Sequence, residues 1–287
     1  YLEYDCKDHL RTDIAVDFLE GKDPNMPFFL FMSYRAPHSF EGPIRDKELY
    51  AGQGWPEIER VHAAKITLLD KQVGRLINKL KAMGELDKTL ILFTSDNGPH
   101  FAQGGHDLEF FNSNGKLRGG KRDLYEGGIR VPLIAYWDKK IKQNSISNHI
   151  SGFQDIMPTF SELIGIERPD QTDGISFLPT LLSKEQNQHE YLNWEFQLSG
   201  WFQKLPDGGF RQSVRIGHWK AVRYNLNSEI ELYEINNDES ETNNLAHLHP
   251  DIIKQARDIF KNSRSETVGF PYGGVIQNYK SMERFVR

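Results

Sequence analysis

The apolar run Thr89-Leu90-Ile91-Leu92-Phe93 breaks off into Thr94-Ser95-Asp96-Asn97-Gly98-Pro99-His100. A short apolar run closed by a polar turn predicts a buried strand of a parallel sheet. In open α/β sheets, ligands gather beyond the carboxyl ends of such strands. Asp96 and Asn97 would stand at that end with a carboxylate and an amide carbonyl, both hard oxygen donors suited to Ca²⁺ or Mg²⁺. The same Asp-Asn-Gly also reads as a tight turn, since all three residues favour turns. Taken alone, the stretch leaves both readings open.

Some twenty residues on comes Leu117-Arg118-Gly119-Gly120-Lys121-Arg122-Asp123-Leu124-Tyr125-Glu126-Gly127-Gly128-Ile129-Arg130-Val131-Pro132. Two glycine pairs allow close backbone approach and positive φ, and cations lie between them. By composition this is a glycine-rich loop with solvated charges. Beside a strand-end Asp-Asn it suggests a metal and a lysine closing on a tetrahedral anion, the equipment of sulfuryl or phosphoryl transfer.

The two patterns together resemble the second half of the type I, formylglycine-dependent sulfatases of the alkaline-phosphatase superfamily. Further similarities follow in order: Thr12-Asp13, then Pro27-Phe28-Phe29-Leu30-Phe31-Met32-Ser33-Tyr34-Arg35-Ala36-Pro37-His38, Leu69-Asp70-Lys71-Gln72-Val73-Gly74, Asp173-Gly174-Ile175-Ser176-Phe177-Leu178-Pro179, Arg215-Ile216-Gly217-His218-Trp219-Lys220, Glu231-Leu232-Tyr233 and Asn244-Leu245-Ala246. The resemblance implies Asp96 and Asn97 as metal ligands holding Ca²⁺ (or Mg²⁺), and Lys121 as the sulfate contact. It implies His38 as the acid toward the leaving oxygen, a role that suits imidazole because it titrates near neutrality. Lys116 precedes the Arg-Gly-Gly and fits the pattern less well than Lys121. Glu126 and Arg130 read as a buried ion pair rather than catalytic groups.

One departure is large. The family's nucleophile motif, C-x-P-S-R or its serine equivalent, is absent, as are its opening aspartate pair and its K-x-x-x-x-H segment. The single cysteine, Cys6, has no such proline or arginine near it and reads as an ordinary thiol. The expectation is therefore the carboxy-terminal part of a sulfatase that does not turn over alone, with formylglycine in a preceding part. Loss of neighbouring strands would bare apolar strand edges and favour aggregation.

The chain has 287 residues, ample for one large domain and a subdomain. The expected fold is α/β, with a central, mostly parallel sheet flanked by helices over residues 1–179. A smaller C-terminal antiparallel-sheet subdomain, with a helix and a tail, follows over 180–287. Ile66, Leu69, Val73, Leu76, Ile77 and Leu80 step by three and four as one helical face, with Pro56 in its first turn and Gly84 at its stop. Val131–Trp137 reads as a further core strand, and Phe153 to Ile164 as a packed helix. Tyr191–Phe196, Ser213–Ile216, Trp219–Tyr224 and Glu231–Ile235 read as antiparallel strands. Pro250 opens a last helix through Phe260, and the tail from Val268 is expected on the surface.

A net charge of −5 with no basic block argues against nucleic acid. No apolar run nears the roughly eighteen residues of a spanning helix, so no membrane partner is expected. Family membership implies periplasm or secretion. The expected partner is a sulfated carbohydrate or an aryl sulfate ester. His100 and His106, in the loop before Lys121, and Glu195, Arg211 and Arg215, in the sheet subdomain beside Trp194, are candidates for substrate contacts. The combination of Gly-His-Asp with Trp-Glu-Phe favours polysaccharide sulfates. The alternatives are a phosphonate monoester hydrolase or phosphodiesterase of the same superfamily, and a non-catalytic remnant that binds sulfated glycans.

Overall fold

The computed structural model describes residues 7–38, 45–100, 106–197, 209–265 and 272–273. Cys6 and most of the tail from Val268 lie outside them. The chain divides into two compact units that no single cut in the sequence separates. One comprises Tyr1–Phe93, His100–Ser113 and Ile134–Ile141. The other comprises Thr94–Pro99, Asn114–Leu133 and Lys142–Arg287.

In the first unit, α1 (Asp8–Gly21) buries Asp8, Thr12, Ala15 and Leu19, a spacing that makes one helical face. It lies beside α2 (Glu57–Ala82), tied to it by Arg75 to Asp13 at 2.6 Å and by Lys79 to Glu20. Pro56 stands one residue before α2, where its extended ψ of 145° sets the entry. At the far end Met83 donates to the Lys79 carbonyl and Gly84 turns the chain out at φ 69°. The strand β1 (Ile91–Thr94) pairs with β2 (Leu133–Tyr136).

These two strands are less covered than their apolar sequences predict: Phe93, Leu133, Ile134 and Tyr136 are all exposed, Ile134 at 61%. The physical reason is the size of the sheet. Two paired strands among the described residues do not supply the layers that bury both faces. Pro27–Arg35 likewise has no assigned strand, and its Phe31 is 79% exposed.

The second unit carries a four-stranded antiparallel sheet in sequential order: β3 (Leu192–Gln197), β4 (Phe210–Ile216), β5 (Trp219–Arg223) and β6 (Glu231–Glu234). Its register sets Leu192 opposite Arg215, Val214 opposite Ala221, and Ala221 opposite Leu232. Strand alternation then gives the sheet two faces. Val214, Ala221 and Leu232 pack against Ala256, Ile259 and Phe260 of α6 (Pro250–Asn262), whose apolar residues recur at helical spacing. Their neighbours Val222 and Tyr233 turn the other way and pack with Tyr125 and Ile235. That second face therefore receives the segment containing the paired glycines. The same unit holds α3 (Glu126–Ile129), α4 (Ile156–Ile164) and α5 (Leu178–Leu181).

Candidate functional site

Asp96 and Asn97 follow β1 in a polar turn, Asp96 exposed and Asn97 half-buried. Ser95 Oγ donates to the Asn97 carbonyl at 2.9 Å, and Asn97 Nδ2 donates to the Gly98 carbonyl at 2.9 Å. With its nitrogen committed, the Asn97 side chain has its oxygen left to offer a cation. The turn is stitched to the glycine-rich segment by two backbone bonds. Gly98 N donates to the Gly128 carbonyl at 2.9 Å, and Lys121 N donates to the Pro99 carbonyl at 2.7 Å. Glycine is required here by space: a Cβ on Gly98 would lie 1.8 Å from the Gly127 carbonyl oxygen. Residues distant in sequence thus bring Asp96, Asn97 and Lys121 into one local structure.

The charges divide by whether they have partners. Lys116 pairs with Glu239 at 2.9 Å, and Arg118 donates to the Tyr233 hydroxyl and the Glu241 carbonyl. Glu126, buried, holds Lys220 at 2.7 Å, with Arg130 and Arg215 nearby. Burial alone would raise the Glu126 carboxyl, but Lys220 and the two arginines hold it below its ordinary value. Glu241 also lies 3.8 Å from Lys220 and accepts from Glu126 N at 2.7 Å. Burial and the Glu126 charge push its carboxyl up to about 7 against Lys220 and Arg118. Lys121 and Asp96, by contrast, have no ion-pair or side-chain hydrogen-bond partner among the described residues. Groups left unpaired in a well-paired neighbourhood are the ones available to a ligand.

His38 belongs to the first unit. Its backbone N donates to the Arg35 carbonyl at 2.8 Å, and its own carbonyl accepts from Lys65 Nζ at 3.0 Å. Asp8 fixes the approach to it, accepting from Arg35 N and from Ala36 N, the latter at 2.8 Å. The ring centroid of His100 lies 6.3 Å from that of His38. Asp8 and Lys65, buried supports of this loop, were not legible as such. Lys65 lies off the apolar stripe that runs from Ile66 to Leu80, and the stripe's first residue, Ile66, is itself exposed.

The remaining candidates have partners inside the fold. His106 is buried, its Nδ1 3.4 Å from Glu59 and its ring stacked on His62 with centroids 3.5 Å apart. Burial and the neighbouring His106 and Lys65 depress His62 to about 4. Glu195 accepts from Gln212 Nε2 and from Arg264 Nε, the latter at 3.0 Å. Arg215 donates to the Gly217 carbonyl at 2.6 Å. Arg211 donates to the Arg122 carbonyl at 2.7 Å and to Asp123 Oδ1 at 3.0 Å.

The donor set fits part of a hard-cation site. Asp96 and Asn97 offer two oxygens of the roughly six to eight that Ca²⁺ takes. Among the described residues no group of three or more His, Cys, Asp or Glu is placed to hold a metal. No helix among them is long and apolar enough to cross a membrane.

Likeness to solved structures assigns the chain an alkaline-phosphatase-like α/β fold with an antiparallel C-terminal sheet. The crystal structure of Ps i-CgsB in complex with a k-i-k-neocarrahexaose shares it, with a TM-score of 0.77 at 24% identity over 93% of this chain and 57% of that one. The Sulfatase family matches residues 1–166, and the N-sulphoglucosamine sulphohydrolase C-terminal family matches residues 119–265. The chain belongs to the sulfatase family. It is 28% identical to an N-acetylgalactosamine-6-O-sulfatase of Bacteroides thetaiotaomicron over 83% of this chain and 47% of that protein. It is 32% identical to human steryl-sulfatase over 67% of this chain and 32% of that protein. The chain thus spans about half the length, or less, of these relatives.

Proposed function

We propose that these residues form the carboxy-terminal part of a sulfuric ester hydrolase acting on sulfated carbohydrate. One observation carries the reading: the turn bearing Asp96 and Asn97 is stitched to the segment bearing Lys121, and Asp96 and Lys121 are both left without charged partners among the described residues. The similarity to an N-acetylgalactosamine-6-O-sulfatase supports a sugar sulfate as substrate.

In this reading Asp96 and Asn97 would offer two oxygens to a Ca²⁺ ion, which when bound would supply positive charge to a sulfate oxygen. Lys121 places its ammonium on the sulfate and stabilises the charge that grows there, a pre-formed electrostatic contribution that water would have to reorganise to supply. By the family resemblance alone, His38, in the loop held by Lys65 and Asp8, would be the acid toward the departing alcohol oxygen. The sequence holds no C-x-P-S-R or S-x-P-S-R segment. The formylglycine chemistry therefore comes from outside these 287 residues, and they do not turn over alone.

The test is hydrolysis of N-acetylgalactosamine 6-sulfate, 4-nitrophenyl sulfate and 4-nitrophenyl phosphate by the polypeptide joined to its nucleophile-bearing part. Turnover of the sugar sulfate, lowered by about 10²- to 10³-fold in Lys121→Ala, is expected. Faster phosphate than sulfate hydrolysis would replace the reading with a phosphoryl-transfer one. Glycan binding without turnover would replace it with a binding remnant.

A further inference from the structure

Lys121 sits inside a four-residue turn that the C-terminal sheet holds shut. Asp123 N donates to the Gly120 carbonyl at 2.9 Å, and Gly120 N donates to Asp123 Oδ2 at 3.1 Å, so one residue closes the turn twice. The turn is unfavourable by itself, because Arg122 adopts φ 80°, a left-handed conformation that costs a non-glycine residue about 1–2 kcal/mol. The preceding Gly119 has φ 77°, and a Cβ there would meet Asp123 Oδ2 at 2.8 Å. Something must hold this shape.

The holding groups come from β4 and from the residue that follows β5. The second oxygen of Asp123, Oδ1, accepts from Arg211 at 3.0 Å and from the Tyr224 hydroxyl at 2.9 Å. Arg211 also donates to the carbonyl of the strained Arg122 at 2.7 Å, and its guanidinium lies 4.3 Å from the Tyr224 ring centroid. The two oxygens of Asp123 thus divide the work, Oδ2 shaping the turn and Oδ1 docking it to the sheet. Burial and the Asp123 charge raise the Tyr224 phenol, so it remains a donor at any physiological pH.

Lys121 is the residue with most to gain from this arrangement. A lysine has a long, flexible stem, and its charge contributes to catalysis only as far as its backbone is fixed. Here that backbone is fixed on one side by Pro99 and on the other by Asp123. We infer that Asp123 is the positioning residue for Lys121, with Arg211 and Tyr224 of the C-terminal sheet locking it in place. Arg211, a substrate-contact candidate by sequence, then acts through the turn rather than on the sugar. This inference rests on the sulfatase reading for its effect on rate, but not for its effect on the turn.

The experiment measures two quantities on the polypeptide joined to its nucleophile-bearing part: kinetics with N-acetylgalactosamine 6-sulfate, and amide exchange of residues 119–123. Asp123→Asn is expected to lower kcat by about 10- to 100-fold with KM within about threefold, because a loosened lysine still reaches the bound sulfate but not the developing charge. Exchange in the turn should quicken by about tenfold or more. Arg211→Lys should retain several times the activity of Arg211→Ala, and Lys116→Ala should match the parent. A folded Asp123→Asn with parental kcat and parental exchange overturns the inference. If Asp123→Asn does not fold, Tyr224→Phe decides, since it removes only the hydroxyl: unchanged exchange overturns the inference and faster exchange supports it. Undiminished turnover by Lys121→Ala would remove Lys121 from the sulfatase reading instead, and exchange in the turn would still judge the role of Asp123.

Discussion

The C-terminal sheet and the first unit solve the burial problem differently. The sheet covers both its faces: one with α6 through Leu232, Val214 and Phe260, the other with the glycine-rich segment through Tyr125. It even buries a lysine, Lys220, between two carboxylates. In the first unit the buried apolar cluster is small, centred on Ala36 and Ala64, while Phe29 and Phe31 lie exposed. A sheet with its own helix is self-sufficient. A two-stranded piece of an α/β layer is not, because its stability depends on neighbours on both faces. The well-covered sheet then supplies a rigid surface on which the Lys121 turn is built.

The sharpest way to break this contrast is Lys220→Ala. It would leave Glu126 and Glu241 buried without their shared cation, at a cost of about 3–5 kcal/mol. Urea denaturation should show it, and a loss below about 1 kcal/mol would mean that water reaches the pair. Leu232→Ala should cost about 2–5 kcal/mol by leaving a cavity against α6. The counterpart in the first unit, Phe31→Ser, should stay within about 0.5 kcal/mol and improve solubility. A large loss there would show that Phe31 is covered in solution.

Acid separates the two regions by sign. Glu241 has its folded pKa raised to about 7 from 4.5, so its contribution is fullest below 4.5 and is lost as pH rises through 7. The change amounts to roughly 3 kcal/mol at most. His62 is depressed to about 4 from 6.5, so its contribution is present above 6.5 and is lost as pH falls toward 4. Partial solvent screening reduces that effect to about 1–2 kcal/mol. Site-resolved amide exchange at about pH 5 and about pH 7.5 should find the sheet better protected at the lower pH and α2 better protected at the higher. Glu241→Gln should flatten the first response and His62→Gln the second. The same direction of change in both regions would refute this assignment.

Much of this molecule was readable from local pattern. The helical stripe from Ile66 to Leu80 became α2, the four short strands appeared in order within about three residues of their expected bounds, and Pro250 opened α6. Each depends on neighbours within a turn or a pleat, which sequence records directly. The paired glycines also announced a close approach, and Gly98 against Gly127 shows where it occurs.

What the sequence could not specify was which charges would have partners. Lys116, Arg118, Lys121, Arg211, Arg215 and Lys220 are all cations in polar or strand contexts, and composition treats them alike. Their fates differ because partners arrive from distant residues: Glu239 for Lys116, Glu126 and Glu241 for Lys220, Asp123 for Arg211, and none among the described residues for Lys121. The sequence by itself determined the elements, the strand-end turn and the family pattern that singled out Asp96, Asn97, Lys121 and His38. Only the tertiary structure decided which charges are committed to the fold and which stay available, because an ion pair is set by distance in space and sequence separation says nothing of it.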